Sequence, residues 1–191
     1  MKLNFFLSDY LKNLIDAISG TDVKNIEKAI LIIKNTIKNK GTIYVCGNGG
    51  SAAIANHYVC DYLKFLRQYT KYRPKIISLS NSIETITAIA NDINYKKIFS
   101  YQAEVLCEKR DLILLISSSG NSKNIIELLN FAKRKKIKTI GFSGFGGGSL
   151  KKKSNLSIHI NVNNYGIVED SHHILMHVII QYLIEEIKFK K

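Results

Sequence analysis

A glycine turn between an apolar segment and a polar helix constrains this chain more than any other feature. The stretch from Cys46 to Lys64 reads CGNGGSAAIANHYVCDYLK. The apolar residues 42–46 before the turn predict a strand, and the helix is expected to open at Ser51. Glycine permits the sharp turn and leaves backbone N–H groups uncovered near the positive end of that helix. The turn is therefore predicted to bind an anion such as a phosphate.

The helix after the turn carries two candidate catalytic side chains. His57 and Asp61 are four residues apart, which places them on one face of the helix. An anion cradle followed by an imidazole and a carboxylate indicates catalysis on a phosphorylated small molecule. The alternative is an ordinary α/β turn whose histidine and aspartate are merely solvated.

The composition is that of one globular domain, which we expect to span residues 1–191. The chain has 191 residues, of which 46% are apolar, and this is enough for a packed core. No apolar run reaches the length of a membrane span, and the N-terminus lacks the pattern of a secretory signal. Its 3 cysteines have no metal-binding spacing. We therefore expect a cytoplasmic protein without a membrane partner.

The chain is strongly basic, with a formal net charge of +13. Lysine is spread widely, however, and local runs occur only at residues 133–136 and 151–153. No predicted helix shows a basic face with interleaved aromatic residues. The sequence therefore favours a lysine-rich composition and an anionic small-molecule substrate over a nucleic-acid partner.

Strands and helices are predicted to alternate after an N-terminal helical pair. Apolar positions at helical spacing predict helices over 3–19 and 22–39, within residues 1–40, with an apolar stripe that calls for a partner subunit. Predicted strands and helices then follow at 42–46, 75–79, 83–90, 95–107, 111–116, 122–135, 137–142, 156–161 and 167–188. This alternation predicts an α/β fold, a three-layer αβα sandwich with a five-stranded parallel sheet. Ligands bind at the carboxyl ends of such strands.

A serine-rich loop follows the predicted third strand. It reads Ser117-Ser118-Ser119-Gly120-Asn121-Ser122 and precedes a helix. Several hydroxyl groups at a helix N-terminus can donate to the oxygens of one phosphate. No lysine of the P-loop type follows, which argues against a nucleoside triphosphate. The alternative is a loop rich in capping residues that binds nothing.

The last predicted helix concentrates histidines and acids. The segment from Glu169 to His177 reads EDSHHILMH and contains three of the 5 histidines. Imidazoles and carboxylates on one helix suit a divalent metal such as zinc, or an acid–base pair. His173 and His177 share a face of the helix. The alternative is a set of histidines packed at a helical interface.

Four motifs, in this order, resemble the sugar isomerase (SIS) fold and, within it, the phosphoheptose isomerase family: CGNGGSAA, AIANDINYKKIF, ISSSGNSKNII and EDSHHILMH. The resemblance covers nearly the whole chain. It implies interconversion of sedoheptulose 7-phosphate and D-glycero-D-manno-heptose 7-phosphate through an enediol, for surface polysaccharide precursors. It also implies a bound zinc ion and a homotetramer with active sites near the subunit interfaces.

The resemblance also assigns roles to residues by position. It implies that Asp61 and His177 are catalytic and that zinc is bound by His57, Asp61, Glu169 and His177. It implies substrate contacts in the glycine turn, an Asn-Asp pair, the serine loop and the last helix: Asn48, Gly49, Gly50, Ser51, Asn91, Asp92, Ser117, Ser118, Ser119, Ser122 and Glu169. Within that loop, Ser118 stands where the family usually has threonine.

Two departures from the family pattern keep other functions open. Asp61 stands where the family has glutamate, and Glu169 stands where it has glutamine, which adds a negative charge near the metal. The alternatives are a SIS protein that binds a sugar phosphate or a partner such as the replication initiator without catalysis, or an isomerase of another sugar phosphate. On a straight helix Glu169 and His177 lie about 12 Å apart along the axis. They can share a metal only if Glu169 precedes the helix or bends toward the site, and His173 is the better-spaced partner of His177.

Overall fold

Five strands form one parallel sheet in the computed structural model of the protein, which describes residues 2–188. The strands are β1 (Thr42–Cys46), β2 (Lys75–Ser78), β3 (Leu112–Ser117), β4 (Lys138–Ser143) and β5 (Leu156–His159). Their order across the sheet is β2-β1-β3-β4-β5, and each neighbouring pair is parallel. The direction of winding reverses between β1 and β3, which is where open parallel sheets bind ligands.

Helices cover both faces of the sheet, so the predicted three-layer sandwich is confirmed. They are α1 (Leu3–Ser19), α2 (Val23–Lys38), α3 (Gly50–Asp61), α4 (Arg67–Tyr69), α5 (Ile83–Asp92), α6 (Ser100–Leu106), α7 (Lys123–Lys135), α8 (Gly148–Lys153) and α9 (Tyr165–Lys188). Successive strand residues point to opposite faces. Ile43 and Val45 therefore join a core with α2, α3 and α9, while Tyr44 and Cys46 join a second core with α5, α6 and α7.

The sequence prediction fails in two places where packing overrides the local pattern. The predicted helix over 95–107 divides into a 3₁₀ turn (Tyr95–Lys97) and α6, because Ile98 and Phe99 turn into the core between them. The lysine run at 151–153 lies on α8, a short helix that was not predicted and that buried Leu150 anchors to the sheet.

Helix α1 keeps an apolar face uncovered in the single chain. None of its described residues is buried, although it packs against α9, where the hydroxyl of Tyr10 donates to Asp170 Oδ2 at 2.6 Å. The helix also carries exposed apolar residues at four-residue spacing, which we call the α1 stripe: Leu3, Leu7, Leu11 and Ile15. Among the described helices, none is long and apolar enough to cross a membrane.

A turn of π-helix follows α3 directly after Asp61. It spans Tyr62–Leu66 and widens the helix locally. Single turns of π-helix inside α-helices are frequently found at functional sites. Tyr58 and Tyr62 are fully buried, and their hydroxyl oxygens lie 2.9 Å apart. Burial raises the pKa of both phenols, so each stays protonated. This buried pair holds α3 and the π turn in register beside Asp61.

We expect Tyr58→Phe to lower the free energy of unfolding by about 1–3 kcal/mol, because it leaves the Tyr62 hydroxyl buried without a partner. The double variant Tyr58→Phe/Tyr62→Phe should be more stable than either single variant, since no hydroxyl is then left unpaired. Urea unfolding at one fixed protein concentration measures both effects. Exposed Tyr101→Phe is the control, and additive losses in the double variant would contradict the pairing.

Candidate active site

The glycine turn and the serine loop meet at the switch point of the sheet. The turn follows β1 and the loop follows β3, two adjacent parallel strands whose carboxyl ends lie at the same edge. They enclose a cavity of about 160 Å³ with polar walls, which we call the serine cavity. Its lining residues are Asn48, Ser51, Ile116, Ser117, Ser118, Ser119, Ser122, Tyr165 and Glu169. The predicted anion cradle and the predicted phosphate loop thus form one pocket.

Glycine at position 47 lets the turn close tightly on α3. A Cβ atom at Gly47 would lie 2.5 Å from the backbone carbonyl of Ser51, which is closer than any side chain allows. The backbone of the turn can therefore approach the first turn of α3, where the free N–H groups are found. This close approach explains why the sequence needs glycine there.

The hydroxyl group of Ser118 is a candidate contact for a bound ligand. Its Oγ is buried and has no hydrogen-bond partner among the described residues, whereas the Oγ atoms of Ser117 and Ser122 lie 3.0 Å from each other. Buried hydroxyls are nearly always satisfied in folded proteins. A phosphate oxygen in the serine cavity would supply the missing partner.

Asn48 is held in place by residues that the sequence did not reveal as part of the site. Its Nδ2 donates to Asn124 Oδ1 at 2.9 Å, and Asn124 Nδ2 donates to Asn48 Oδ1 at 2.8 Å. The hydroxyl of Tyr95 donates to the same Asn48 oxygen at 3.0 Å. Asn124 is buried and lies within the motif ISSSGNSKNII. An amide side chain in the helix that follows the predicted phosphate loop was therefore the signal that the sequence offered.

A second group of side chains lies where α3 packs on α9. His57 Nε2 and His177 Nε2 are 3.0 Å apart. Asp61 is almost fully buried, and its two carboxylate oxygens lie 3.5 Å from His57 Nε2 and 3.3 Å from His177 Nε2. The packing of two helices therefore brings together three residues that the sequence proposed for catalysis and metal binding.

The spacing of these donor atoms fits a divalent cation. Two ligands of a tetrahedral zinc ion, each at about 2.0 Å from the metal, lie about 3.3 Å from each other. The three observed separations of 3.0, 3.3 and 3.5 Å are close to that value. In addition, Asp61 Oδ2 has no hydrogen-bond partner among the described residues, although it is buried. The residues present therefore fit a bound metal.

His173 is a third imidazole in this group. Its ring centroid lies 4.7 Å from that of His57 and 4.6 Å from that of His177. Donor atoms of the three histidines all lie within 4.8 Å of one another. Burial, together with the neighbouring His177 and His57, lowers the pKa of His173 and so favours the neutral form that binds metals.

Glu169 lies in the serine cavity rather than among the imidazoles. It is inside α9, which begins at Tyr165, so it does not precede the helix. Its carboxylate packs against Gly50, where a Cβ atom would collide with it, at the first turn of α3. Burial and the neighbouring Asp170 raise the pKa of Glu169. The assignment of Glu169 as a metal ligand stays a prediction, whereas its position beside the serine loop suits a substrate contact.

The remaining predicted substrate contacts are not among the residues that line the serine cavity. Gly49 caps α3 beside the serine cavity with a positive φ of 54°. Asn91 and Asp92 are exposed at the end of α5, where Asn91 Nδ2 donates to Asp92 Oδ1 at 2.8 Å. Neither lines the serine cavity, so their role stays a prediction.

Comparison with known proteins identifies the family. The family model described as the SIS domain matches residues 7–144. The chain belongs to the SIS domain family. This SIS protein is 34% identical over 157 residues to the phosphoheptose isomerase of Campylobacter concisus, with 82% of each chain covered. It is 36% identical over 184 residues to that of Buchnera aphidicola, covering 95% of this chain and 90% of the relative.

A solved structure confirms the SIS fold. The structure of phosphoheptose isomerase from Neisseria gonorrhoeae superposes with a TM-score of 0.86 at 24% sequence identity, covering 96% of this chain and 97% of that one. With the relatives above, this assigns the SIS protein to the phosphoheptose isomerase family, as its motifs indicated.

His172 is the one histidine of the EDSHHILMH segment that takes no part in the imidazole group. It is fully buried, and its ring centroid lies 5.9 Å from that of Phe142 in an edge-on arrangement. Neither ring nitrogen has a hydrogen-bond partner among the described residues. Burial lowers the pKa of His172 to about 4. The side chain therefore stays neutral in the folded protein at physiological pH.

We expect His172 to make this SIS protein less stable as the pH falls from about 6.5 to about 4. In that window the unfolded chain takes up a proton at His172 and the folded chain does not, so unfolding is favoured by up to about 1.4 kcal/mol per pH unit. Urea unfolding of wild type and His172→Leu in the presence of a chelator measures this slope. An equal slope in both proteins would contradict the assignment.

Proposed function

We propose that this protein is an aldose–ketose isomerase that interconverts sedoheptulose 7-phosphate and D-glycero-D-manno-heptose 7-phosphate. The observation that carries the proposal is that two helices, α3 and α9, each contribute side chains to both the serine cavity and the imidazole–carboxylate group. Ser51 lines the cavity and His57 belongs to the group. The two positions are about 9 Å apart along α3, which suits an extended sugar phosphate better than a short one. Relatives named phosphoheptose isomerase support the same reaction.

The serine cavity would bind the terminal phosphate. Its hydroxyl groups and the N-termini of α3 and α7 supply donors from several directions. The buried and unpartnered Oγ of Ser118 favours an oxygen ligand there. Asn48 and Glu169 would contact sugar hydroxyls next to the phosphate, because both line the same cavity.

Asp61 and His177 would move the protons of the isomerisation. Asp61 would remove the proton from the carbon next to the carbonyl, which gives an enediol, and then return a proton to the adjacent carbon. His177 would transfer a proton between the two oxygens of the enediol. The burial of Asp61 supports this role, since a carboxylate shielded from water and lacking a hydrogen bond at Oδ2 is available to accept a proton.

The imidazole–carboxylate group would hold a zinc ion through His57, Asp61 and His177. The donor separations support a divalent metal in general, and zinc is the ion that suits a mixture of imidazole and carboxylate ligands with this spacing. When bound, the ion would act as a Lewis acid toward the sugar oxygens.

The heptose phosphate would serve the synthesis of surface polysaccharide precursors in the cytoplasm. The relatives' shared name supports a heptose phosphate as the sugar on which the protein acts. A SIS protein that binds a sugar phosphate without catalysis, and an isomerase of another sugar phosphate, remain as the outcomes that the activity test distinguishes.

The active protein would be a homotetramer built from single SIS domains of residues 1–191. The α1 stripe supports this proposal, because a row of exposed leucine and isoleucine side chains is normally covered by another chain. Helix α1 lies beside the serine cavity, since the hydroxyl of Tyr10 donates a hydrogen bond to Asp170, which is next to Glu169 in the sequence. A subunit that covers residues 1–40 would therefore lie close to the serine cavity.

We expect the zinc-loaded protein in deuterated water to convert sedoheptulose 7-phosphate into an aldose phosphate that carries deuterium next to the carbonyl. Asp61→Asn should lower kcat by about 10²–10⁴, because it removes the base. Ligand-induced thermal stabilisation should persist, since the serine cavity is intact. NMR follows product and exchange. The exposed Glu104→Gln on α6 is the control for loss of a carboxylate.

Three outcomes would contradict this reaction or its base. Stabilisation by the sugar phosphate without product or exchange would indicate a binding protein. Turnover of a different sugar phosphate alone would indicate another isomerase. Full turnover by Asp61→Asn would show that another group is the base.

We expect sedimentation equilibrium to give the mass of four chains. Leu7→Lys/Leu11→Lys should give smaller species, because two charges in the α1 stripe would have to be buried at the interface. Ile83→Lys, at an exposed apolar position on α5, is the matched control and should leave the mass unchanged. A monomeric wild type would contradict the tetramer.

A further inference from the structure

We propose that Asn124 and Tyr95 are positioning residues that fix the side chain of Asn48, so that it meets the substrate only as a hydrogen-bond donor. The inference deepens the proposed function and rests on it for the identity of the sugar phosphate. The sequence motifs did not assign a substrate contact to Asn124 or Tyr95, and neither residue lines the serine cavity. Both act through Asn48, which does line it.

The orientation of the two amide side chains follows from one backbone group. The N–H of Ile125 can only donate, and it lies 2.9 Å from Asn124 Oδ1, which identifies that atom as the oxygen. Asn124 Nδ2 is then a donor, and the Asn48 atom that it meets at 2.8 Å must be the acceptor Oδ1. Asn48 Nδ2 completes the pair by donating to Asn124 Oδ1 at 2.9 Å. The first turn of α7 therefore sets a single consistent arrangement for both amides.

The carbonyl oxygen of Asn48 has no capacity left for a ligand. An amide oxygen accepts two hydrogen bonds through its two lone pairs. Asn124 Nδ2 supplies one, and the hydroxyl of Tyr95 supplies the other at 3.0 Å. Asn48 Nδ2 carries two hydrogens, of which one goes to Asn124 and the other has no acceptor among the described residues. That second N–H is the group that Asn48 can offer to a bound oxygen atom.

Both supporting residues are themselves held in place by α7. Asn124 is buried in the first turn of that helix, and the 3₁₀ turn Tyr95–Lys97 is tied to the helix through Glu127. The Glu127 carboxylate lies 3.1 Å from Lys97 Nζ and 3.3 Å from Lys96 Nζ. The hydrogen bond from Lys97 lowers the pKa of Glu127, so this carboxylate is ionised at neutral pH. One helix therefore supports both donors that fill the Asn48 oxygen.

The consequence is a fixed polarity at this point of the serine cavity. A free asparagine amide can rotate by 180° and present either a donor or an acceptor. Rotation of Asn48 would set nitrogen against nitrogen and oxygen against oxygen in its pair with Asn124, so the donor orientation exists before a ligand binds. A preorganised donor favours an oxygen acceptor, on the phosphate or on a sugar hydroxyl, and avoids the cost of ordering the side chain during binding.

Steady-state kinetics of zinc-loaded wild type and Asn124→Leu test the inference. Leucine keeps the branched shape of asparagine but removes both hydrogen bonds, which frees Asn48 to rotate. We expect the KM for sedoheptulose 7-phosphate to rise by about 10-fold. The kcat should change by less than about 3-fold, because a contact made equally in the ground state and the transition state affects KM alone. Tyr95→Phe removes one hydrogen bond and should raise KM by about 2–5-fold.

A double-mutant cycle separates positioning from a merely structural role. If Asn124 acts through Asn48, Asn124→Leu should have no further effect on KM in a protein that already carries Asn48→Ala. The same cycle with Tyr95→Phe uses an exposed side chain, so it decides the question even if the buried substitution prevents folding. Asn155→Leu is the control, since it breaks an amide hydrogen bond to the backbone N–H of Thr139 and should leave KM unchanged.

Isothermal titration with sedoheptulose 7-phosphate and with inorganic phosphate completes the test. Weaker binding of both ligands by the variants would place the acceptor on the phosphate group, and weaker binding of the sugar phosphate alone would place it on a sugar hydroxyl. Additive losses in the cycles, or unchanged KM in both single variants of an active enzyme, would overturn this inference and leave the proposed function standing. Binding without turnover in the wild type, with non-additive losses of affinity in the variants, would overturn the proposed function and support the positioning of Asn48. A wild type that binds neither ligand would overturn both.

Discussion

The packing of α3 on α9 is the interaction on which the rest of the site depends. Ile54, Ala55 and Tyr58 of α3 share one buried core with Leu175 and other apolar residues of α9. This contact brings His57 next to His177, although 120 residues separate them in the chain. The same two helices frame the serine cavity at their N-terminal ends. Apolar burial between two helices thus positions polar groups that have no other reason to be close.

Several polar atoms in this region are buried and have no hydrogen-bond partner among the described residues. They include Ser118 Oγ in the serine cavity, and Asp61 Oδ2 and His173 Nε2 between the helices. Unsatisfied groups of this kind destabilise a fold, so they persist only where packing around them is strong enough to hold them. Their distribution is informative: a hydroxyl donor lies where an anion is expected, and an oxygen and a nitrogen acceptor lie where a cation is expected.

The shorter carboxylate at position 61 is compatible with the geometry of the site. Asp61 is the last residue of α3, and the π turn Tyr62–Leu66 begins directly after it. One of its oxygens still lies 3.5 Å from His57 Nε2, and the other lies 3.3 Å from His177 Nε2. Buried Tyr58 and Tyr62 bracket this position and limit its movement. Although Asp61 is one methylene shorter than the family's glutamate, its carboxylate therefore still contacts His57 and His177.

Local sequence was sufficient for the strands, the glycine turn, the serine loop and the pairing of His57 with Asp61. A buried strand is a continuous apolar run, a tight turn needs Gly47, and residues four apart share a helix face. Tertiary structure alone decided which distant residues meet. It set the strand order, joined Asn48 to Asn124, divided the helix predicted over 95–107, and placed Glu169 with the serines and His173 with the other imidazoles. Those outcomes depend on how helices from different parts of the chain pack against one sheet, and no local pattern encodes that packing.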